Sequence, residues 1–217
     1  MSRFDRRIVP DAIVTLIHRL QRVVPSHLGG GAALAGAHLH HRLSRDVDLF
    51  CHDRAEHRLL VDRLVGVAAN CGLSCQVVQD AGSFVRATLQ SEEIQMEIDL
   101  VHEPAPDLAP PDTIEGIAIE SLDDLRASKL TCILSRSEPR DLVDLYFLER
   151  AGFPPQDDLE LALRKDGGID PGVIAWLLGQ FPVEPMPALL LPLSVDELRA
   201  YRDDLRERMR ARAVPEE

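Results

Sequence analysis

The sequence predicts an α+β protein in which a mixed-sheet core is followed by a helical C-terminal half. Strand-like runs with alternating polar and apolar residues are confined to the first half of the chain. The second half instead repeats apolar residues at helical spacing. The proline-rich stretch EPAPDLAPPD, residues 103–112, separates the two patterns. Strands grouped before helices are typical of the α+β class rather than of an alternating α/β fold.

The elements of the first half follow from periodicity and from the residues that interrupt it. An amphipathic helix is predicted over residues 11–24, and the segment HLGGG that begins at His27 ends it. The Ala-rich segment from Ala32 to Leu39 predicts a second, short helix. The remaining predicted elements are a strand over residues 46–51, a helix over 55–70, and strands over 74–78, 84–89 and 94–101.

The second half is predicted to be entirely helical. The expected helices span residues 121–135, 139–150, 157–165, 171–178 and 195–212. A second proline-rich stretch, residues 181–193, separates the last two, and Trp176 is expected in the core because its helix is apolar. We therefore predict a sheet-containing region over residues 1–105 and a helical region over residues 112–217 that completes the site.

The composition limits the class of protein. The chain has 217 residues, 45% of them hydrophobic and 28% charged, which is typical of a globular protein. Its net charge of −12 argues against broad binding to nucleic acid, because that affinity comes from Lys and Arg on phosphates. No apolar run approaches the roughly 20 residues that span a membrane, and no signal peptide is evident. With four cysteines and no CxxC pair, we expect a cytoplasmic protein with free thiols.

Three aspartates are the strongest candidates for a metal site. Asp46 and Asp48 lie two residues apart on a predicted strand, so alternation places both carboxylates on one face. Like charges this close repel unless a cation or a donor lies between them. Asp99, on the alternating run of residues 94–101, supplies a third carboxylate if its strand is adjacent. Oxygen donors of this kind suit Mg²⁺, although an isolated DxD is also compatible with a turn residue and a solvated strand residue.

The residues before these aspartates favour phosphate binding. Gly30 and Gly31 precede an Ala-rich helix, and glycines followed by a helix N-terminus allow backbone N–H groups to approach a phosphate. Arg42 and Ser44 have the same parity as the aspartates and would face the same way in an extended chain. The alternatives are a helix-breaking turn for the glycines and an ion pair with one of the acids for Arg42.

A lysine in the helical half is the next candidate. Lys129 lies on the apolar stripe of its helix, four residues after Leu125, where an unpaired charge is costly. Arg136 continues this stripe if the helix persists. Asp141 falls in the first turn of the next helix, where an acid also stabilises the helix dipole. Lys129 is therefore expected either to be paired or to extend its ammonium into solvent.

Two segments resemble the conserved blocks of the AbiEii/AbiGii-toxin-like nucleotidyltransferases. The segment HLGGGAALAGAHLHHRLSRDVDLF is similar to their first motif, a glycine pair followed by R-x-S-x-D-x-D. The pattern K-L-x(5)-R-x(3)-R-D-x-x-D-L, from Lys129 to Leu145, is similar to their second block. One position departs from the family: the residue after the glycines is often Thr or Ser, and here it is Ala32.

The resemblance implies a polymerase-beta-type nucleotidyltransferase core over residues 1–105. It implies an enzyme that uses Mg²⁺ or Mn²⁺ to move a nucleoside monophosphate from a nucleoside triphosphate to an acceptor hydroxyl. It further implies the toxin of a bacterial toxin–antitoxin pair, with tRNA or protein as acceptor and an antitoxin protein as partner. The implied catalytic residues are Asp46, Asp48, Asp99, Lys129 and Asp141, the first three as metal ligands; the implied nucleotide-binding residues are Gly30, Gly31, Arg42, Ser44, Lys129 and Arg136.

Three other readings stay open or are set aside on the sequence alone. A nucleotidyltransferase acting on a small molecule such as an antibiotic has the same motifs, and Ala32 is compatible with a catalytically degenerate nucleotide-binding module. A zinc site is not expected, because the spacing of the candidate ligands matches no tetrahedral pattern. Those candidates are His38, His40, His41, Cys51 and His52.

Overall fold

The computed structural model describes residues 3–213, which form two compact units. The first unit ends at Ser121 and the second begins at Leu122. Residues 1–2 and 214–217 of the predicted regions lie outside the described residues. Each unit has its own core, one built on a sheet and the other on helices, which confirms the predicted α+β class.

The first unit is built on a mixed, seven-stranded sheet. Its strands are β1 (His27–Gly29), β2 (Asp46–Cys51), β3 (Ser74–Asp80), β4 (Phe84–Gln90), β5 (Gln95–His102), β6 (Asp112–Ile114) and β7 (Ile117–Ile119). They are arranged in the order β3-β4-β5-β2-β1-β7-β6. The helices of this unit are α1 (Asp11–Gln21), α2 (Gly30–Ala33), which continues as a π-helical turn over Leu34–Leu39, and α3 (Arg54–Ala69).

Strand β2 lies at the centre of the sheet, where it pairs with β1 in antiparallel and β5 in parallel orientation. Its side chains alternate as the sequence predicts: Val47 and Leu49 are fully buried, whereas Asp46 and Asp48 are partly exposed on the other face. Apolar side chains on one face therefore anchor the strand to the core, and the opposite face carries the carboxylates.

Two predictions about this unit need correction. The segment HLG was expected only to end a helix, but it forms β1. The second region was expected to begin at residue 112, but β6 and β7 over residues 112–119 join the sheet through β1. Strands of three residues are too short to show an alternating pattern, which is why the periodicity did not detect them. The boundary between the units therefore follows β7.

The second unit contains the predicted helices with small shifts at their ends. They are α4 (Leu122–Ser135), α5 (Pro139–Arg150), α6 (Leu159–Lys165), α7 (Pro171–Leu178) and α8 (Val195–Ala213), with a 3₁₀ turn over Pro155–Asp157. The expected burial of Trp176 is wrong, since 66% of the residue is exposed. Helix α7 is apolar on several sides and buries Ile174 and Leu178, so Trp176 is left on the outer face. Among residues 3–213, no helix combines the length and apolarity that crossing a membrane requires.

The turn after β1 depends on a glycine at position 30. Gly30 has φ +63°, a left-handed conformation that side chains with a Cβ rarely adopt. A Cβ at this position would also overlap Oδ2 of Asp48, which lies on the neighbouring strand β2. Because Gly30 has no side chain, the backbone can turn in this direction and the Asp48 carboxylate can occupy its position.

We predict that Gly30→Ala lowers the free energy of unfolding by about 1–3 kcal/mol, the typical cost of a strained backbone conformation. Chemical denaturation monitored by circular dichroism measures this change. Gly66→Ala is the matched control, because Gly66 lies inside α3 and its Cβ would meet no atom within 4 Å apart from its neighbours in the helix. The control should stabilise the protein by about 0.8–1.0 kcal/mol. A Gly30→Ala variant as stable as wild type would contradict the role assigned to Gly30.

Candidate active site

The polar face of the sheet carries one row of functional groups across four strands. In the pairing register, Gly29 of β1 lies opposite Asp48 of β2, Asp48 opposite Asp99 of β5, and Asp99 opposite Arg86 of β4. Paired residues in neighbouring strands point to the same face. The register therefore places Asp48 and Asp99 side by side, as the sequence analysis predicts.

Asp99 is held by an arginine that the sequence analysis did not single out. Arg86 Nε lies 2.8 Å from Asp99 Oδ1, and Arg86 Nη2 lies 2.7 Å from Asp99 Oδ2. Arg86 Nη1 is also 3.5 Å from a carboxylate oxygen of Glu97. The hydrogen bond to Asp99 raises the pKa of the Arg86 guanidinium above its ordinary value, so the guanidinium stays charged. In the sequence, only the alternating pattern of residues 84–89 could have placed Arg86 on this face.

The acids on this face outnumber the bases of the same strands. Asp46 pairs in register with Glu97, one step along the sheet from Asp48 and Asp99, so four carboxylates share the face with Arg86. Such crowding is costly unless a cation or hydrogen-bond donors offset the repulsion. Oxygen donors of this type fit Mg²⁺ or Mn²⁺, which bind to one or two carboxylates together with substrate phosphates.

The three predicted metal ligands differ in their surroundings. Asp46 and Asp48 are partly exposed, whereas Asp99 is 3% exposed and directs both oxygens at Arg86. The ligand oxygens of the three do not all lie within 4.8 Å of one another. Within residues 3–213, that criterion is met by one group of three, His27, His52 and Asp107. Metal binding by Asp46, Asp48 and Asp99 stays a prediction, with Asp99 sharing its charge with Arg86.

The predicted phosphate-binding residues are packed closely together. A Cβ at Gly31 would lie 2.7 Å from Arg42 Nη2 and 3.4 Å from Ser44 Oγ, so the glycine makes room for both side chains. Ser44 Oγ donates to Asp46 Oδ1 at 3.2 Å, and Arg42 Nη1 donates to the carbonyl oxygen of Leu43 at 3.0 Å. Arg42 is only 2% exposed. These contacts show that Ser44 holds a carboxylate of the face and that Arg42 lies beside Gly31; their contact with nucleotide stays a prediction.

A buried glutamate completes this region and was not predicted. The backbone N–H of Gly30 donates to Glu120 Oε2 at 3.3 Å, and a Cβ at Gly29 would overlap the same oxygen. Glu120 follows β7, whose parallel pairing with β1 brings it beside the glycine turn. Because that short strand was not expected, the sequence offered no signal for Glu120. Ala32, where the family often has a hydroxyl, is fully buried.

The second unit contains a buried ion cluster around Lys129. Lys129 Nζ lies 2.7 Å from Asp144 Oδ2 and 3.2 Å from Asp141 Oδ1. Arg136 Nε and Nη2 contact the two oxygens of Asp141 at 2.8 and 2.9 Å. Both aspartates are fully buried and Lys129 is 3% exposed. Of the two expectations for Lys129, pairing is therefore correct and extension of the ammonium into solvent is not.

The contacts within the cluster keep Asp141 and Arg136 ionised despite burial. Burial alone would raise the pKa of Asp141, but the Lys129 charge and the Arg136 hydrogen bond lower it below its ordinary value. Burial alone would lower the pKa of Arg136, and the contacts with Asp141 raise it overall. Asp144 belongs to the R-D-x-x-D-L motif but was not predicted as a site residue. Its contact with the lysine is shorter than that of Asp141, so Asp144 belongs to the same cluster.

Comparison with known proteins finds a matching family model and similar solved structures. A family model described as the nucleotidyl transferase AbiEii toxin of type IV toxin–antitoxin systems matches residues 26–215. The structure of JHP933 from Helicobacter pylori is 21% identical with a TM-score of 0.62, and the match covers 94% of this chain and 91% of that chain. MenT4, a nucleotidyltransferase toxin from Mycobacterium tuberculosis, is 15% identical with a TM-score of 0.63, covering 93% and 85%. None of the curated proteins compared with the chain matched it. At these identities the two structures support the fold, whereas the family match includes both motifs.

We predict that Lys129→Met lowers the free energy of unfolding by about 3–5 kcal/mol, because removing one partner leaves buried carboxylates without its charge. Methionine keeps the apolar stem, so the change isolates the ammonium. Urea denaturation of purified protein measures the loss.

The matched control for this prediction is the same substitution in an Asp144→Asn background. There, the ammonium has one carboxylate fewer to neutralise, so Lys129→Met should cost clearly less than in wild type. A cost below about 0.5 kcal/mol in wild type, the range of ordinary surface substitutions, would contradict the proposed pairing.

Proposed function

The chain belongs to the AbiEii family of nucleotidyl transferase toxins of type IV toxin–antitoxin systems, and from this premise we propose a specific reaction. The protein transfers a nucleoside monophosphate from a nucleoside triphosphate to an acceptor hydroxyl, with Mg²⁺ or Mn²⁺ as cofactor. The single observation that carries this proposal is the carboxylate face formed by Asp46, Asp48, Glu97 and Asp99. A face that carries four carboxylates is suited to a divalent cation bound to a polyphosphate.

Asp46 and Asp48 would hold the metal. Both are partly exposed, and both project from the polar face of β2, opposite the buried Val47. The ion, when bound, supplies Lewis-acid stabilisation of the phosphate oxygens and of the leaving pyrophosphate. Ser44 holds Asp46 through its hydroxyl, and the absence of a side chain at Gly30 leaves room for Asp48. These contacts orient the two carboxylates before substrate binds.

Asp99 would act as the third carboxylate of the site. Its two oxygens accept from Arg86, which fixes the orientation of the carboxylate and shares its charge. In this position Asp99 can complete a metal site or accept the proton of the acceptor hydroxyl. Arg86 is thus a positioning residue for Asp99 in this proposal.

Lys129 would contact phosphate oxygens of the nucleotide, as the family motif implies. Asp144 and Asp141 hold its ammonium, and Arg136 neutralises Asp141 from the other side. This arrangement fixes the direction of the ammonium, which is what recognition of a polyphosphate requires. In the first unit, the glycine turn of Gly30 and Gly31 would approach phosphate at the start of α2, with the backbone N–H of Gly31 as a donor.

The acceptor and the partner follow from the family. We propose tRNA or a protein as acceptor, an antitoxin protein as partner, and the bacterial cytoplasm as the place of action. A small-molecule acceptor is the alternative reaction. A degenerate binding module is the non-enzymatic alternative, and the buried Ala32 is the observation that favours it. The four carboxylates and the paired Lys129 argue for a working enzyme, because an inactive module has no need of such costly groups.

Incubation with each labelled nucleoside triphosphate, Mg²⁺ and a mixture of tRNA and protein tests the proposal. We expect label to enter one macromolecular fraction and Asp48→Asn to lower the rate by at least about a hundredfold, the scale of losing one preorganised electrostatic contact. Asparagine keeps the shape of the side chain while removing its charge. Gel separation of the labelled products reports the acceptor.

Asp62→Asn on α3 is the matched control, since it removes an exposed carboxylate outside the carboxylate face and should leave the rate unchanged. Label in a small molecule would support the alternative acceptor class. Metal-dependent nucleotide binding without any transfer would support the degenerate module. Asp48→Asn with wild-type turnover would contradict the role of the carboxylate face.

A further inference from the structure

A second polar cluster lies at the other end of the central strands. The cluster consists of His27, His52 and Asp107. His27 is the first residue of β1, His52 follows the last residue of β2, and Asp107 belongs to the proline-rich connector of residues 103–112. His27 and Phe50 face each other in the sheet register, and their rings stack at 5.7 Å between centroids. Because Phe50 has the same parity as Asp48, this cluster lies on the carboxylate face, displaced along the strands.

The three side chains direct donor atoms toward one point. His52 Nε2 lies 3.1 Å from Asp107 Oδ2, and His27 Nε2 lies 3.7 Å from Asp107 Oδ1. One ligand atom from each residue lies within 4.8 Å of the other two. Tetrahedral zinc with bonds near 2.0–2.2 Å separates its ligand atoms by about 3.4 Å. The observed spacing therefore needs only small side-chain rotations to hold such an ion.

The hydrogen bonding of His52 directs its Nε2 at the carboxylate of Asp107. His52 Nδ1 lies 2.8 Å from the carbonyl oxygen of Glu103, which can only accept, so Nδ1 carries the proton. In the neutral ring Nε2 then presents its lone pair to the Asp107 carboxylate, which is repulsive at 3.1 Å. Either a second proton or a metal ion resolves this contact. A backbone carbonyl that fixes the tautomer of a histidine is the usual support of a metal ligand.

We propose that His27, His52 and Asp107 form a binding site for a zinc-class transition metal, separate from the magnesium site of the proposed reaction. Two imidazoles and one carboxylate favour zinc, cobalt or nickel, whereas the four carboxylates of the active face favour magnesium. The cluster lines a cavity of about 570 Å³, which gives the ion access and leaves a fourth position for water or a ligand. Cys51 also lines this cavity, but its sulfur is not among the ligand atoms that lie within 4.8 Å of one another.

A metal ion bound at this site would link the connector of residues 103–112 to the sheet. Asp107 is the member contributed by the connector, while His27 and His52 belong to the ends of two paired strands. Binding to the folded state alone raises stability by mass action. The predicted consequence is a higher melting temperature with zinc, lost when any one ligand is replaced.

Calorimetric titration of chelator-treated protein with Zn²⁺, in a buffer with excess Mg²⁺ to saturate the carboxylate face, tests the proposal. We expect a single site whose affinity falls at least tenfold in His52→Ala and in Asp107→Asn. His52 is exposed and asparagine has the shape of aspartate, so both variants should fold; circular dichroism without metal checks this. Titration with Co²⁺ should add the visible absorption bands of a tetrahedral site in wild type.

Two further variants are the controls. His18→Ala removes another imidazole from the wall of the same cavity, and Asp48→Asn weakens the carboxylate face. Both should bind Zn²⁺ as wild type does. Wild-type protein that does not bind, equal affinities in all variants, or a loss confined to Asp48→Asn would overturn the proposal. In the first case, a protonated His52 paired with Asp107 would account for the geometry without a metal.

Discussion

Carboxylates crowded on one face of a sheet repel one another, and much of the first unit serves to tolerate that repulsion. Arg86 neutralises Asp99 through two hydrogen bonds, and the Ser44 hydroxyl contacts Asp46. Asp48 instead depends on the space left by Gly30. In the proposed function, the same crowding of carboxylates provides the binding site for a divalent cation and its polyphosphate.

In the second unit, the charge that must be neutralised is a buried cation rather than a group of carboxylates. A lysine that is almost fully buried would be costly alone, so two buried aspartates share its charge and an arginine offsets the surplus. Because the ammonium of Lys129 is buried and paired, it can adopt only a few orientations. This specificity fits a group that must meet a polyphosphate in one position, and it explains why the lysine lies on an apolar stripe.

Long, periodic elements could be predicted from the sequence, and contacts between distant segments could not. Alternation identified the strand of Asp46 and Asp48 with its observed bounds, because a central strand with one buried face has a clear period. The three-residue strands are too short to show a periodic pattern, so the position of Glu120 beside the glycine turn was not predicted. Arg86 was missed for a related reason: only the register between β4 and β5 shows that it meets Asp99. The family motif named Lys129 and Asp141, but their pairing with Asp144 follows from packing.

The central claim is that the carboxylate face of Asp46, Asp48, Glu97 and Asp99 binds a divalent cation. Thermal unfolding of wild-type protein, Asp48→Asn and the control Asp62→Asn across a magnesium titration measures this most directly. We predict that Mg²⁺ raises the melting temperature of wild type and of the control, since an ion bound to the folded state stabilises it by mass action. Asp48→Asn should show a smaller rise and should be at least as stable as wild type without the ion. Equal responses of all three proteins, or a less stable Asp48→Asn in the absence of Mg²⁺, would contradict the account.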